Sequence, residues 1–308
     1  MAEEAQFEFH EQRQPGDARK YLNFSGARHW TASLLPALVG TTLPFWLRPP
    51  GFAFRWLSAL EFLLVILLLH AGFSFLHAVF QYGLKGKWHA RRLLGATGIC
   101  LVTAFLLGVH VNGSIPPHNS VPSYIFVVYG LTTLFAGVLY VVPPFSFSER
   151  VGGEVILAEG LGMLPVLGAY LVQVGDLNRT VYLAAMPLVV ATGLWVWADE
   201  LISMEADQIE GRNTMVILFG PRFSGRIVVT ALSALFCASV LLSVVSTSLN
   251  PLALIALLLV GLLWKIVAVS WNGYANATQM LRVRMNAFLL HLTTCIIIAI
   301  SSLATIPS

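Results

Sequence analysis

The chain has 308 residues, of which 57% are hydrophobic and only 11% are charged. A soluble domain usually carries about 25% charged residues, so most of this surface is not suited to water. The net charge of +3 is also too small and too thinly spread to suggest nucleic-acid binding. The composition therefore predicts an all-α, polytopic membrane protein.

The first 28 residues differ from the rest of the chain because they carry charges throughout. They lack the apolar core of a signal peptide, so we expect the first hydrophobic helix to direct insertion into the membrane. We interpret residues 1–28 as a cytoplasmic N-terminal segment and residues 29–308 as one transmembrane domain.

Nine apolar stretches follow, each of a length suited to a membrane-spanning helix, which needs about 20 residues. The breaks between them carry proline, glycine and asparagine, the residues that favour turns. The nine predicted spans are residues 30–47, 57–82, 91–112, 121–142, 153–175, 180–202, 224–247, 250–271 and 285–306.

The distribution of basic residues predicts the orientation of these spans. Of the 18 Lys and Arg residues, 14 lie on the side of the N terminus. Only Arg48, Arg55 and Arg179 lie on the opposite side, and Lys265 lies within a span. Because loops rich in Lys and Arg stay in the cytoplasm, we predict a cytoplasmic N terminus and an integral protein of the plasma (inner) membrane.

The end of the sixth predicted span concentrates acidic residues. Five acids fall within residues 199–210, and on a helix Asp199, Ser203 and Asp207 share one face. These acids repel one another unless a cation compensates, and Mg²⁺ binds carboxylate oxygens while keeping substrate phosphates as further ligands. The alternative is a solvated acidic helix end. Because Asp199 and Glu200 follow an apolar, Trp-rich stretch where charge is costly, we favour a site.

The second predicted span carries a polar stripe, since His70, Ser74, His77 and Gln81 recur at helical spacing. Polar side chains inside a span usually face a cavity or neighbouring helices. We therefore expect this stripe either to line a cavity or to form hydrogen bonds between helices. A zinc site is less favoured, because no carboxylate or cysteine joins the two histidines locally.

The connection between the fourth and fifth spans is a candidate anion site. Arg150 stands just before the glycine pair Gly152-Gly153, where a helix is predicted to start. Backbone N–H groups at a helix start, together with a guanidinium group, suit an anion such as diphosphate. The preference of cytoplasmic loops for basic residues explains an arginine here as well.

Four segments of the chain form a recognisable set of motifs. They are residues 28–36, the loop Pro143-Pro144…Arg150…Gly153-Glu154, residues 164–173, and Glu205-x-Asp207-x-x-x-Gly211-Arg212-x-Thr214. With these motifs the chain resembles the UbiA superfamily of intramembrane aromatic prenyltransferases, and most closely its 1,4-dihydroxy-2-naphthoate prenyltransferase branch. The resemblance covers most of the chain, and nine helices with functional loops on the cytoplasmic side agree with it.

The resemblance implies nine helices around a central cavity that opens to the cytoplasmic face. It also implies an enzyme that transfers a prenyl group from an isoprenoid diphosphate to an aromatic or other lipophilic acceptor, as in quinone biosynthesis. By the family pattern, Asp199, Glu200 and Asp207 are expected to bind Mg²⁺ and, with Ser203, to form the catalytic group. The residues expected to bind substrate are Arg150, Arg212, Glu205, Thr214, Tyr140, His70, Ser74, His77, Gln81 and Lys85.

Two departures from the family pattern concern the metal. The central Asp of the second Asp-rich motif is Ser203 here, and the first motif has Ser74, Ala78 and Gln81 in place of its metal-binding residues. Since a neutral group cannot replace the charge of a carboxylate at a dication, we expect a single, weakened Mg²⁺ site and an atypical prenyltransferase.

Two alternative functions stay open. One is a different lipid reaction such as terpene cyclisation, with the two histidines as acid–base groups, and the other is a non-catalytic isoprenoid- or lipid-binding protein.

Overall fold

The computed structural model of the protein describes residues 30–81, 87–116 and 124–304. The predicted N-terminal segment 1–28, Lys85 and the side chain of Gln81 lie outside the described residues. Within the described ranges the chain forms helices and no β-sheet. This result confirms the all-α class.

The helices are numbered here in chain order. They are α1 (Thr31–Leu47), α2 (Trp56–Gln81), α3 (Lys87–Ser114), α4 (Ile125–Val141), α5 (Gly153–Gly162), α6 (Leu164–Val174), α7 (Arg179–Ile209), α8 (Met215–Phe219), α9 (Val229–Val245), α10 (Val260–Gly273) and α11 (Ala277–Leu303). A helical turn at Pro221–Phe223 and a π-helical turn at Ser224–Val228 lead into α9, and a 3₁₀ segment at Pro251–Leu259 leads into α10.

In the described part of the chain, seven helical segments are long and apolar enough to cross a membrane. The other two predicted spans coincide with α1 and α4, which are apolar but have 17 residues each. The predicted fifth span is two helices, α5 and α6, which meet at Met163. Pro165 lies in the first turn of α6, where its missing N–H costs no helical hydrogen bond. The span boundaries also differ, since α7 continues to Ile209 rather than ending near residue 202.

Helix α7 lies at the centre of the bundle. One side packs against α9 and α11 in a cluster that includes Leu194 and Phe236. The other side packs against α1, α6 and α11 in a cluster that includes Leu43 and Leu188. Helix α3, in contrast, is mostly exposed and apolar, as expected of a helix that faces lipid. The packing of α7 on both sides therefore determines where its C-terminal acids lie.

The close approach of α1 and α6 depends on Gly40. A Cβ atom there would lie 2.1 Å from the backbone oxygen of Val166, and backbone cannot yield as a flexible side chain does. We expect Gly40→Ala to lower the free energy of unfolding by about 1–3 kcal/mol, measured by thermal unfolding in detergent. Gly98→Ala is the matched control, because its Cβ position has no neighbour within 4 Å and alanine favours a helix over glycine. Equal losses in both variants would contradict this explanation.

Candidate functional site

The acidic stretch lies on the last turns of α7, and two of its acids, Asp199 and Asp207, have different surroundings. Asp199 is more than half exposed, and its Oδ1 accepts a hydrogen bond from Arg284 of α11 at 2.8 Å. Asp207 is only 3% exposed. The helical face that carries Asp199, Ser203 and Asp207 therefore exists, but Asp199 is held toward α11 while Asp207 is buried.

Asp207 already has a cationic partner. Arg212 Nη1 donates to Asp207 Oδ1 at 2.9 Å, and Ser203 Oγ donates to Oδ2 at 2.6 Å. Arg212 reaches back because the chain reverses at Gly211, whose φ of +77° is a left-handed conformation that glycine adopts without strain. Its second terminal nitrogen pairs with Glu210 at 3.0 Å. The Ser203 hydroxyl thus stabilises the buried carboxylate of Asp207.

Glu154 and Glu200 each have one buried oxygen that accepts no hydrogen bond from the described residues. Glu154, at the start of α5, is 5% exposed, and its Oε1 accepts from the backbone N–H of Met215 at 2.6 Å. Among the described residues, neither Glu154 Oε2 nor Glu200 Oε2 has a hydrogen-bond partner, and both atoms are buried. Glu200 lies within electrostatic range of Glu154, Asp207 and Arg212. Because such a buried oxygen is costly, the arrangement favours a cation or a proton at this place.

The loop between α4 and α5 is joined to the loop between α7 and α8. The Asn213 N–H donates to the Glu149 carbonyl at 2.8 Å, and Arg150 and Asn213 form an isolated β-bridge. Together with the Glu154–Met215 bond, these contacts tie the two loops into one cap beside the acids. Arg150 itself is exposed, and its Nη2 donates to the Pro144 carbonyl at 2.6 Å. The guanidinium group is therefore held by its own loop.

Side chains of α2 and α4 reach the same region. Tyr140, near the end of α4, lies within electrostatic range of Glu154, Glu200 and Arg212. His77 of α2 lies within range of Arg212. Both side chains are half-buried. The fold thus brings residues of α2, α4, α5 and α7 to one place at the end of the bundle.

The remaining predicted residues have other surroundings. His70 Nδ1 and Ser33 Oγ share a hydrogen bond of 2.9 Å that links α2 to α1, and Ser74 is half-buried on α2. Glu205 is exposed. Thr214 is buried, and its hydroxyl oxygen accepts a backbone N–H of α8 at 3.4 Å as an N-terminal cap. His70 and Thr214 therefore make contacts that hold helices in place.

Glu154 is a residue of the site whose role was not predicted from the sequence. A signal for it was present, because an acid at the start of an apolar span is costly unless it has a partner. Its partner is the backbone of Met215, which lies 61 residues further along the chain. Such a distant contact leaves no trace in the local sequence pattern.

The donor set fits one hard cation better than a complete metal centre. No three His, Cys, Asp or Glu side chains are grouped to hold a metal ion in the ranges that the structure describes. The free oxygens of Glu154 and Glu200 nevertheless suit Mg²⁺, which takes few carboxylates and completes its coordination with water and phosphate. The assignment of Asp199, Glu200 and Asp207 as metal ligands stays a prediction.

Comparison with solved structures defines the class of protein. A UbiA homologue from Aeropyrum pernix K1 superposes with a TM-score of 0.64 at 18% identity, over 89% of this chain and 96% of that one. A UbiA homologue from Archaeoglobus fulgidus bound to GPP and Mg²⁺ superposes with a TM-score of 0.58 at 14% identity, over 91% and 99%. With its apolar helices, this chain is a helical membrane protein of the UbiA fold.

Sequence comparison points to the same group of proteins. Over 162 residues the chain is 26% identical to the 1,4-dihydroxy-2-naphthoate octaprenyltransferase of Bacillus subtilis (strain 168), a match that covers 53% of this chain. It covers 47% of that enzyme, so the match spans about half the length of this curated relative. No protein-family model matches the chain. The resemblance to UbiA prenyltransferases that the sequence indicated is confirmed by the relative and by the fold.

Proposed function

We propose that this chain is a UbiA-type membrane prenyltransferase, which moves a prenyl group from an isoprenoid diphosphate to an aromatic or other lipophilic acceptor. Nine spans would surround a cavity open to the cytoplasmic face, with the N terminus on that face. The observation that carries the proposal is that Glu154 and Glu200 each have a buried oxygen without a partner among the described residues, with Glu200 in electrostatic range of Glu154 and Arg212, in a UbiA fold. Carboxylates for a dication and a guanidinium for diphosphate oxygens are the groups that this reaction uses.

The proposed metal is one Mg²⁺ ion held by Glu200, with Asp207 and Asp199 as further ligands. Asp207 now pairs with Arg212, and Asp199 pairs with α11, so each would have to leave its arginine to bind the ion. Glu154 is an additional candidate ligand because one of its oxygens is free. When bound, Mg²⁺ would neutralise the negative charge of the departing diphosphate.

The residues of the chain would bind and orient the prenyl donor. Arg212 would exchange Asp207 for diphosphate oxygens, which its planar guanidinium binds through two parallel hydrogen bonds. Arg150 would approach from the other loop of the cap, and Tyr140 and His77 lie within electrostatic range of Arg212. In the reaction, the allylic carbon–oxygen bond breaks and its electron pair leaves with diphosphate. The allylic carbon then bonds to the acceptor, which loses a proton.

A non-catalytic isoprenoid- or lipid-binding protein is the second candidate. The observation that favours it is the ion pair between Arg212 and Asp207, whose charged atoms lie 2.9 Å apart. A site whose acid is balanced by an internal cation needs no metal to be stable. In this case a bound isoprenoid would be retained and not converted.

One assay of the full-length protein in lipid vesicles distinguishes the two candidate functions. Prenyl diphosphates of several chain lengths are supplied with a panel of aromatic and quinol acceptors, and free diphosphate is measured with Mg²⁺ and with EDTA. The enzyme predicts acceptor-dependent release of diphosphate that requires Mg²⁺. A folded protein that retains the donor but releases no diphosphate across the panel would support the binding protein and overturn the proposed transferase.

A further inference from the structure

A cleft lies beside residues 221–228, the segment that precedes α9, apart from the acidic site. It has a volume of about 470 Å³ and is open on one side. None of the acids of α7 lines it. One residue that lines the cleft, Phe219, contacts α7, because its ring stacks on Trp197 with centroids 6.1 Å apart. The lining residues are Phe219, Gly220, Pro221, Arg222, Phe223, Arg226, Ile227 and Trp271.

Among the described residues that line the cleft, two are arginines and none is acidic. The Nε–H of Arg226 donates to the Trp271 carbonyl at 2.8 Å. Its guanidinium carbon lies 5.6 Å from the Trp271 ring centroid and 5.2 Å from that of Tyr274, both within cation–π distance. Arg222 lies one helical turn earlier and is exposed. Within residues 30–81, 87–116 and 124–304, neither arginine pairs with a carboxylate, so no carboxylate in these ranges compensates their charge.

The wall that carries Arg226 is firmly packed against α10. A Cβ atom on Gly225 would lie 2.4 Å from the Cβ of Tyr274, so only glycine permits this approach. The Ser270 hydroxyl, which is buried, donates to the Gly225 carbonyl at 2.5 Å. The segment is also a π-helical turn, an irregularity often found at functional sites. The position of Arg226 is therefore set before any ligand binds.

The rim of the cleft is apolar. Phe223 and Ile227 are about half exposed, at 47% and 48%, and Trp271 is 41% exposed. Exposed aromatic side chains at the ends of spans are typical of the membrane–water interface. A free inorganic anion would make no use of this rim. A ligand with a phosphate group and acyl chains would contact both the arginines and the rim.

We propose that this cleft binds the headgroup phosphate of an anionic phospholipid. The phosphate would lie between Arg222 and Arg226, and its acyl chains would run along the exposed apolar surface of α9 and α10. The distribution of basic residues predicts that this end of the bundle is cytoplasmic, where the leaflet is rich in anionic lipid. This binding site is separate from the proposed transferase site and does not depend on it.

The test uses the purified full-length protein and measures its thermal unfolding in detergent with added phosphatidylglycerol or phosphatidylcholine. We expect phosphatidylglycerol to raise the unfolding temperature more than phosphatidylcholine does. Arg222→Gln should raise the half-saturating concentration of phosphatidylglycerol about fivefold, as expected for one charge near an anionic surface. Arg226→Gln should have at least the same effect, and Arg226→Lys should keep part of the response. Arg179→Gln, an exposed arginine at the opposite end of α7, should respond like the unaltered protein.

Two further ligands test whether the cleft recognises a phospholipid or any molecule with a phosphate group. Inorganic phosphate and a soluble prenyl diphosphate are added in place of lipid at the same concentration. An equal stabilisation by either of them, lost in Arg222→Gln, would overturn the lipid assignment. An unchanged response to phosphatidylglycerol in Arg222→Gln would overturn the site itself, and that exposed position is not expected to affect folding.

Discussion

We expect Glu200→Gln to lower Mg²⁺-dependent prenyl transfer by about 10²–10³-fold, since losing a metal-binding carboxylate removes several kcal/mol of transition-state stabilisation. The substitution keeps the shape of the side chain and removes only its charge. It acts at a buried oxygen that has no donor among the described residues. The measurement is the rate of diphosphate release as a function of Mg²⁺ concentration in lipid vesicles.

The stability of the same variant provides an independent readout. Glu200→Gln removes a charge that is partly buried near other acids, so its unfolding temperature without Mg²⁺ should be equal to or above that of the unaltered protein. The rise in unfolding temperature on adding Mg²⁺ should be lost. Asp176→Asn is the control, because Asp176 precedes α7 at the opposite end of the bundle. Wild-type rates with wild-type Mg²⁺ dependence in Glu200→Gln would contradict the assignment.

We expect Arg212→Gln to affect both stability and donor binding. It leaves Asp207, which is 3% exposed, without its cationic partner. Breaking a buried ion pair by removing one partner costs about 3–5 kcal/mol. The loss of the guanidinium group should also raise the KM for the prenyl diphosphate. Unfolding in detergent and initial rates over a range of donor concentrations measure the two effects.

The double variant Asp207→Asn with Arg212→Gln separates these effects. Removing both charges leaves no unpaired ion, so most of the lost stability should return, as a double-mutant cycle would show. Donor binding should not return, because the proposed diphosphate ligand is still missing. If the double variant recovers the KM together with the stability, then Arg212 has only a structural role. If Arg212→Gln has normal stability, then the pair with Asp207 does not form in the membrane.

The helical architecture could be predicted from the sequence almost completely. In the described chain, seven of the predicted spans coincide with helical segments that are long and apolar enough to cross a membrane, because such a segment satisfies its backbone hydrogen bonds internally and matches the membrane thickness. Both requirements concern residues that are close in sequence. The break between α5 and α6 at Met163 was missed although Pro165 signals it, since apolar length alone does not reveal a short irregularity.

The site could be predicted in part. The acids of α7 and the loop around Arg150 stand out as segments, because charge next to apolar residues is unusual. The roles of single acids did not follow from the pattern. Asp199 and Asp207 lie on one helical face, yet the first binds Arg284, 85 residues away, and the second binds Arg212. Two acids on the same helical face therefore have different partners.

The amino-acid sequence is enough to predict a bundle of apolar helices with a cluster of acids at one end of α7, because the length of an apolar stretch and its charges are properties of neighbouring residues. Which carboxylates are buried, which are paired and which have an oxygen without a partner among the described residues depends on how the helices and loops pack. Glu154 shows the reason, since its bond to the Met215 backbone depends on how two distant loops pack together. Burial and pairing are results of that packing, and they set the electrostatics on which the proposed chemistry depends.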